Sequence, residues 1–265
     1  SAPETAVLND LHIARRRKDW LLGRWTAKKL IRAVEEKSGN KKLPYREISI
    51  LAAQDGAPEI WLGEAGSLER GNLTLSISHS NGVAFCAAAP GTYSLGVDIE
   101  AVASRPLHFV EDYFTAEENE LVQRAPSDNR DTLITAIWSG KEAALKTVRQ
   151  GLRLDTRSLS CDFTPSFHTS VSKNESMDWL PFSIRWSASQ ENNAYSQLFG
   201  WWRVWGDFVL AMVVSADQPL IVLEAMKMGN EIRSPFDGKV RSIAVSDTVL
   251  VETSVQIALE CEDTD

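Results

Sequence analysis

Two short segments constrain this chain more than any other part of it. The first is Gly96-Val97-Asp98-Ile99-Glu100, an apolar run interrupted by two acids. On a strand, side chains two apart share a face, so Asp98 and Glu100 aim at one point while Val97 and Ile99 face the other way. The second is Trp138-Ser139-Gly140-Lys141-Glu142-Ala143-Ala144-Leu145-Lys146. It falls in a helix predicted over 130–149, whose apolar stripe runs through Ile134, Ile137, Trp138, Leu145 and Val148. Glu142 lies near that stripe, where a carboxylate is costly unless it is paired or binds metal. Lys146 follows one turn on, in the favourable Glu-to-Lys order, which alone contributes only about 0.2–0.5 kcal/mol. Converging carboxylates suit a hard cation such as Mg²⁺, which takes one or two of them together with phosphate oxygens. Asp98 and Glu100, with Glu142 as a third ligand and Lys146 facing phosphate, form a set suited to phosphoryl chemistry. The plainer readings are a half-solvated strand and a structural Glu142–Lys146 ion pair.

The 265 residues can hold one large or two ordinary domains. A helix is predicted over 8–37, then strands at 48–52, 59–62, 73–77, 83–89 and 94–99. Helical stretches follow near 107–109, over 116–124 and over 130–149. Strands resume at 157–163, 182–186, 201–204 and 208–214, and residues 164–180 read as a long loop. Each half is thus a helix followed by strands, an α+β arrangement. The boundaries read 1–100, 101–216 and 217–265.

The net charge of −8 is unevenly spread. Residues 1–50 carry twelve Lys/Arg against six Asp/Glu, and residues 217–265 carry four against ten. The basic segment could attract a polyanion; a phosphorylated small molecule and an acidic protein fit the other motifs better than nucleic acid. Cys86, Cys161 and Cys261 show no metal-ligand spacing and cannot all pair, which suits a reducing cytoplasm. No stretch approaches the ~20 apolar residues of a membrane span, and no signal-peptide pattern is legible.

Taken together, Gly96–Glu100, Phe114-Thr115-Ala116-Glu117-Glu118 and Trp138–Lys146 resemble the 4′-phosphopantetheinyl transferases of the surfactin-synthetase-activating type. That family's pattern is G-V-D-I-E, F-T-x-x-E and W-[ST]-x-K-E-[AS]-x-x-K. Ser76-Ile77-Ser78-His79-Ser80 looks like its S-x-S-H-S strand end. Gly23-Arg24-Trp25-Thr26-Ala27-Lys28 looks like its G-R-x-x-A-K helix. The resemblance covers about residues 10–215. Where the family often has G-K-P, Gly56-Ala57-Pro58 lacks the lysine.

The resemblance implies a pseudo-dimer of two α/β halves with the site between them. It also implies transfer of the phosphopantetheine arm of coenzyme A to a serine of an apo acyl or peptidyl carrier protein, releasing 3′,5′-ADP. Mg²⁺ would sit on Asp98, Glu100 and Glu142. Arg24, Lys28, Ser78, His79, Lys141 and Lys146 would bind coenzyme A. Glu142, Lys146 and Glu118 would be catalytic. Glu142 or a metal-bound water would take the serine proton, and both remain open. The ordinary reading of Glu118 is an acid in a first helical turn, favoured by the helix dipole.

After Val214 the sequence changes character. Glu224-Ala225-Met226-Lys227-Met228 and the following Glu231–Val240 resemble the lysine hairpin and second half of a biotinyl carrier domain, in which Lys227 would receive biotin. The first half of that flattened barrel has no counterpart here, so a partial β-barrel is expected. About 45 residues rarely fold alone, and open strand edges invite pairing. Three readings follow: a remnant packed on the transferase, a half that self-associates through 217–265 and is biotinylated, or a disordered tail. The rival functions are a biotin carrier or carboxylase-associated protein with a non-catalytic N-terminal region, and a dead transferase scaffold. The intact Asp98, Glu100, Glu142 and Lys146 speak against the last.

Overall fold

The computed structural model describes residues 1–40, 42–64, 66–163, 179–187, 198–215 and 254–258. Lys227 and the rest of the biotinyl-like hairpin lie outside the described residues. The architecture is α+β, with five α-helices among the described residues. The chain divides into two units, one of residues 1–94 and 218–265, the other of residues 95–217.

The first unit opens with α1 (Ala2–Asp10) and α2 (Ala14–Lys37). One helix was expected from residue 8. The chain instead breaks at Leu11 and Ile13, both extended. The buried Glu4 ties α1 to its surroundings by accepting from the Ile50 N–H (3.1 Å) and from the Lys28 ammonium. Ala27, Leu30, Ile31 and Val34 recur at helical spacing and bury one face of α2 against Ile48, Ile50, Ile60, Leu75, Cys86 and Ala88.

β1 (Ile48–Ala52), β2 (Pro58–Leu62) and β3 (Glu69–Arg70) form one antiparallel sheet. β4 (Leu73–Ser80) and β5 (Val83–Pro90) form a hairpin. Its two-residue turn is Asn81-Gly82, both at positive φ, as a tight hairpin requires. A strand from the far end of the chain, Ser254–Ala258, runs parallel along the other edge of β5. Gly23 permits α2 to approach β4 closely: a Cβ there would lie 3.0 Å from Ile77 Cγ2.

The second unit holds β6 (Leu95–Ala101), α3 (Leu107–Tyr113), α4 (Ala116–Arg124), α5 (Ser127–Thr147) and β7 (Leu159–Asp162). It continues with β8 (Leu180–Trp186), β9 (Leu198–Trp205) and β10 (Phe208–Ser215). Its antiparallel sheet has the order β6-β10-β9-β8-β7, so the last strand in sequence lies beside the first. α5 packs on this sheet, with Leu133, Ile137, Ala144 and Leu145 in one core with Trp202, Val209, Ala211 and Val213. Phe163 and Phe182 stack at 4.5 Å over Gly140 and Gly200, where side chains would collide with their rings.

The decisive contact for the site is Gly96. A Cβ there would lie 2.0 Å from the Ala143 carbonyl oxygen and 2.6 Å from the Thr147 nitrogen. The backbones of β6 and α5 therefore touch. The Thr147 hydroxyl lies 3.0 Å from the Val213 carbonyl of β10, the residue paired with Gly96 across the sheet. This fixes the height and rotation of α5 over β6.

Candidate functional site

With α5 seated on Gly96, one helical face comes down over the acidic end of β6. Asp98 is buried, and its Oδ1 lies 2.7 Å from Lys146 Nζ. Its Oδ2 accepts from the Ser139 hydroxyl at 2.8 Å. Lys146 Nζ also donates to the Val97 carbonyl (3.1 Å) and lies 3.6 Å from Glu142 Oε2. Arg105 Nη2 lies 3.3 Å from Glu100 Oε2. Asp98, Glu142 and Lys146 are thus brought together as the spacing predicts, with Glu100 on the same strand face.

The cluster carries more negative charge than its two cations balance, and the carboxyl groups register this. Burial pushes Glu142 up to about 7, and Asp98 and then Glu100 add to the rise against the pull of Lys146. Burial, and then Asp98, also raise Glu100, while Arg105 and Lys146 lower it. Burial alone would lower Lys146; Asp98 and Glu142 more than offset this and hold the ammonium above its usual range. Among the described residues no three His, Cys, Asp or Glu groups are drawn together tightly enough to hold a metal ion. It is the Lys146 ammonium that joins Asp98 to Glu142. The cluster's carboxylates are oxygen donors of the kind a hard divalent cation takes.

Glu118 and Lys141 have a different place from the one expected. Lys141 is fully buried, and its ammonium meets Glu118 Oε2 (2.8 Å), the Thr156 carbonyl (2.8 Å) and the Leu159 carbonyl (2.6 Å). An ammonium has three donors, and these acceptors take them, so Lys141 has no open face for coenzyme A. Glu118 also accepts from the Thr115 N–H (2.8 Å), as in a capping box, and from the Cys161 N–H (2.7 Å). The pair locks α4, α5 and β7 together and serves the site by holding α5.

Lys141→Met is expected to cost about 3 kcal/mol, since it leaves the Glu118 charge buried and unpaired. Adding Glu118→Gln should recover part of that loss. Urea unfolding of both variants measures this, and additive losses would contradict the pairing.

In the first unit, Lys28 is also a correction. Its buried ammonium is taken by Glu4 and the Tyr45 carbonyl (3.1 Å), so it anchors α1 and is not available to a ligand. Arg24 lies 4.6 Å over the Trp20 ring; its Nε is buried with no hydrogen-bond partner among the described residues, and burial lowers its pKa. Ser78 and His79 are not brought together. β4 alternates, leaving Ser78 buried and His79 exposed on the opposite face.

Sequence reasoning missed Ser139, Arg105 and Glu4. Ser139 alone had a signal, since it occupies the hydroxyl position of the W-[ST]-x-K-E pattern.

Residues 94–213 match the family model described as the 4′-phosphopantetheinyl transferase superfamily. The match spans the described second unit almost from end to end and supports phosphopantetheinyl transfer as its chemistry. Residues 212–259 match the model described as biotin-requiring enzyme, a range that contains Lys227. No curated protein matches the chain. No helix among the described residues is long and apolar enough to cross a membrane.

Proposed function

We propose that the protein transfers 4′-phosphopantetheine from coenzyme A to a serine of an apo acyl or peptidyl carrier protein, releasing 3′,5′-ADP. The observation that carries the reading is the Asp98–Lys146–Glu142 cluster, built where α5 rests on β6. In-line attack at phosphorus depends mainly on positioning and charge neutralisation. Asp98, Glu100 and Glu142 would hold Mg²⁺, which when bound neutralises the pyrophosphate. Lys146, which is held by Asp98 and the Val97 carbonyl, would meet charge on the leaving phosphate. Glu142 is the carboxylate assigned to the serine proton. Arg24, with its buried open Nε, and His79, exposed at the end of β4, are assigned to the phosphates of coenzyme A. Ser139 orients Asp98.

The test incubates the full chain with coenzyme A, Mg²⁺ and a panel of apo carriers, and reads the intact mass of each carrier. Lys146→Ala is expected to lower kcat at least about tenfold while changing KM for coenzyme A less, because its charge acts on the transfer step. No mass gain on any carrier would overturn the reading. Lys227→Arg should leave transfer unchanged, since no residue of the cluster comes from that segment.

A further inference from the structure

β5 is a strand that needs partners along both edges. Every residue from Val83 to Ala89 is buried. Cys86 and Ala88 belong to the core shared with α2, while Phe85 and Ala87, on the opposite face, are fully buried as well. With both faces covered, the backbone N–H and C=O groups along each edge must find partners within the protein. β4 supplies them on one side. Among the described residues, only Ser254–Ala258 supplies them on the other, in parallel register from Ser254 beside Ala84 to Ala258 beside Ala88. α2 runs against this strand as well as against β5. The second unit follows the same plan. Its β9–β10 hairpin carries α5, and the outer edge of β10 is taken by β6. In the first unit the corresponding place falls to a strand from the far end of the sequence, inside the range 212–259 that matches the biotin-requiring enzyme model.

We propose that the outer edge of β5 is a strand-addition site whose occupant is this chain's own Ser254–Ala258, so that the biotinyl-like segment serves the first unit as an intramolecular clasp. Charge favours the same pairing. Residues 217–265 carry four Lys/Arg against ten Asp/Glu, and residues 1–50 of the same unit carry twelve against six. A strand tethered to its own site is present at high effective concentration. It also closes an edge that would otherwise pair with another chain.

The experiment is amide hydrogen exchange on the full chain, read by mass on peptides covering Val83–Pro90, in the wild type and in Gln256→Pro and Ile257→Pro. Successive N–H groups of a strand point to opposite sides, so one of these two faces β5 and the other faces away. Proline removes the N–H and is tolerated where that group faces outward on an edge strand. One variant is therefore expected to speed exchange over Val83–Pro90 at least about tenfold, and the other to leave it near wild type. Wild-type protection should be unchanged on about a hundredfold dilution, as a tethered strand requires. No effect from either proline, or equal effects from both, failure of both variants to fold included, overturns the proposal. Protection that falls on dilution assigns the strand to a second copy and overturns the intramolecular clasp.

Discussion

Asp98→Asn is expected to lower kcat/KM for phosphopantetheine transfer at least about a hundredfold while leaving the fold intact. The side chain is 2% exposed, and its shape matters as much as its charge. Asparagine keeps the shape and can still accept from the Ser139 hydroxyl, now 2.8 Å from Oδ2. The negative charge is lost. Lys146 then faces a neutral partner at 2.7 Å and is free to swing toward Glu142, 3.6 Å away. One of three anionic ligands for the divalent cation also becomes neutral. Both losses strike charge neutralisation, on which phosphoryl transfer depends. Carrier mass gain at saturating Mg²⁺, measured beside circular dichroism, checks the result. Full activity in Asp98→Asn would remove Asp98 from the machinery and with it the metal assignment.

What the sequence made legible was local. α4 is read correctly from Ala116 to Arg124 because Thr115 and Glu118 form a capping box within four residues. α5 is legible because its apolar stripe repeats at helical spacing through Val148. A strand period of two pairs Asp98 with Glu100 and a helix period near four pairs Glu142 with Lys146, while the joining of the two pairs, 48 positions apart at Asp98 and Lys146, is given only by the resemblance. The parts that escaped depend on distant residues. Glu118 looks like a solvated first-turn acid until Cys161, 43 positions away, donates its N–H. Lys141 is expected to bind coenzyme A, but two carbonyls of the following turn and strand enclose it. The short first helix, absent from the single helix expected over 8–37, carries Glu4, whose partner Ile50 lies 46 positions away. Helical periodicity records none of these partners.

Gly96 belongs to the same class, and its replacement should have the largest effect on stability. In the sequence it is only the first letter of a motif. In the fold it is the point where β6 and α5 meet without a side chain between them. A Cβ at 2.0 Å from the Ala143 carbonyl oxygen and 2.6 Å from the Thr147 nitrogen overlaps backbone atoms, which no rotamer change can clear. Gly96→Val must therefore lift the helix from the sheet. That opens the core in which Ala144 and Leu145 pack with Ala211 and Val213, and it draws the Thr147 hydroxyl from the Val213 carbonyl, now 3.0 Å away. The expected cost exceeds about 4 kcal/mol, the range of core failures with an identifiable cause. Because Glu142 and Lys146 travel with α5, any folded fraction should also lose transfer. Gly96→Ala should fall between wild type and valine on both measures, since the first carbon already collides. Thermal melting and carrier mass gain on the two variants test the coupling. A Gly96→Val protein with wild-type stability would show that β6 and α5 do not touch here, and the height of the helix over Asp98 would then need another cause.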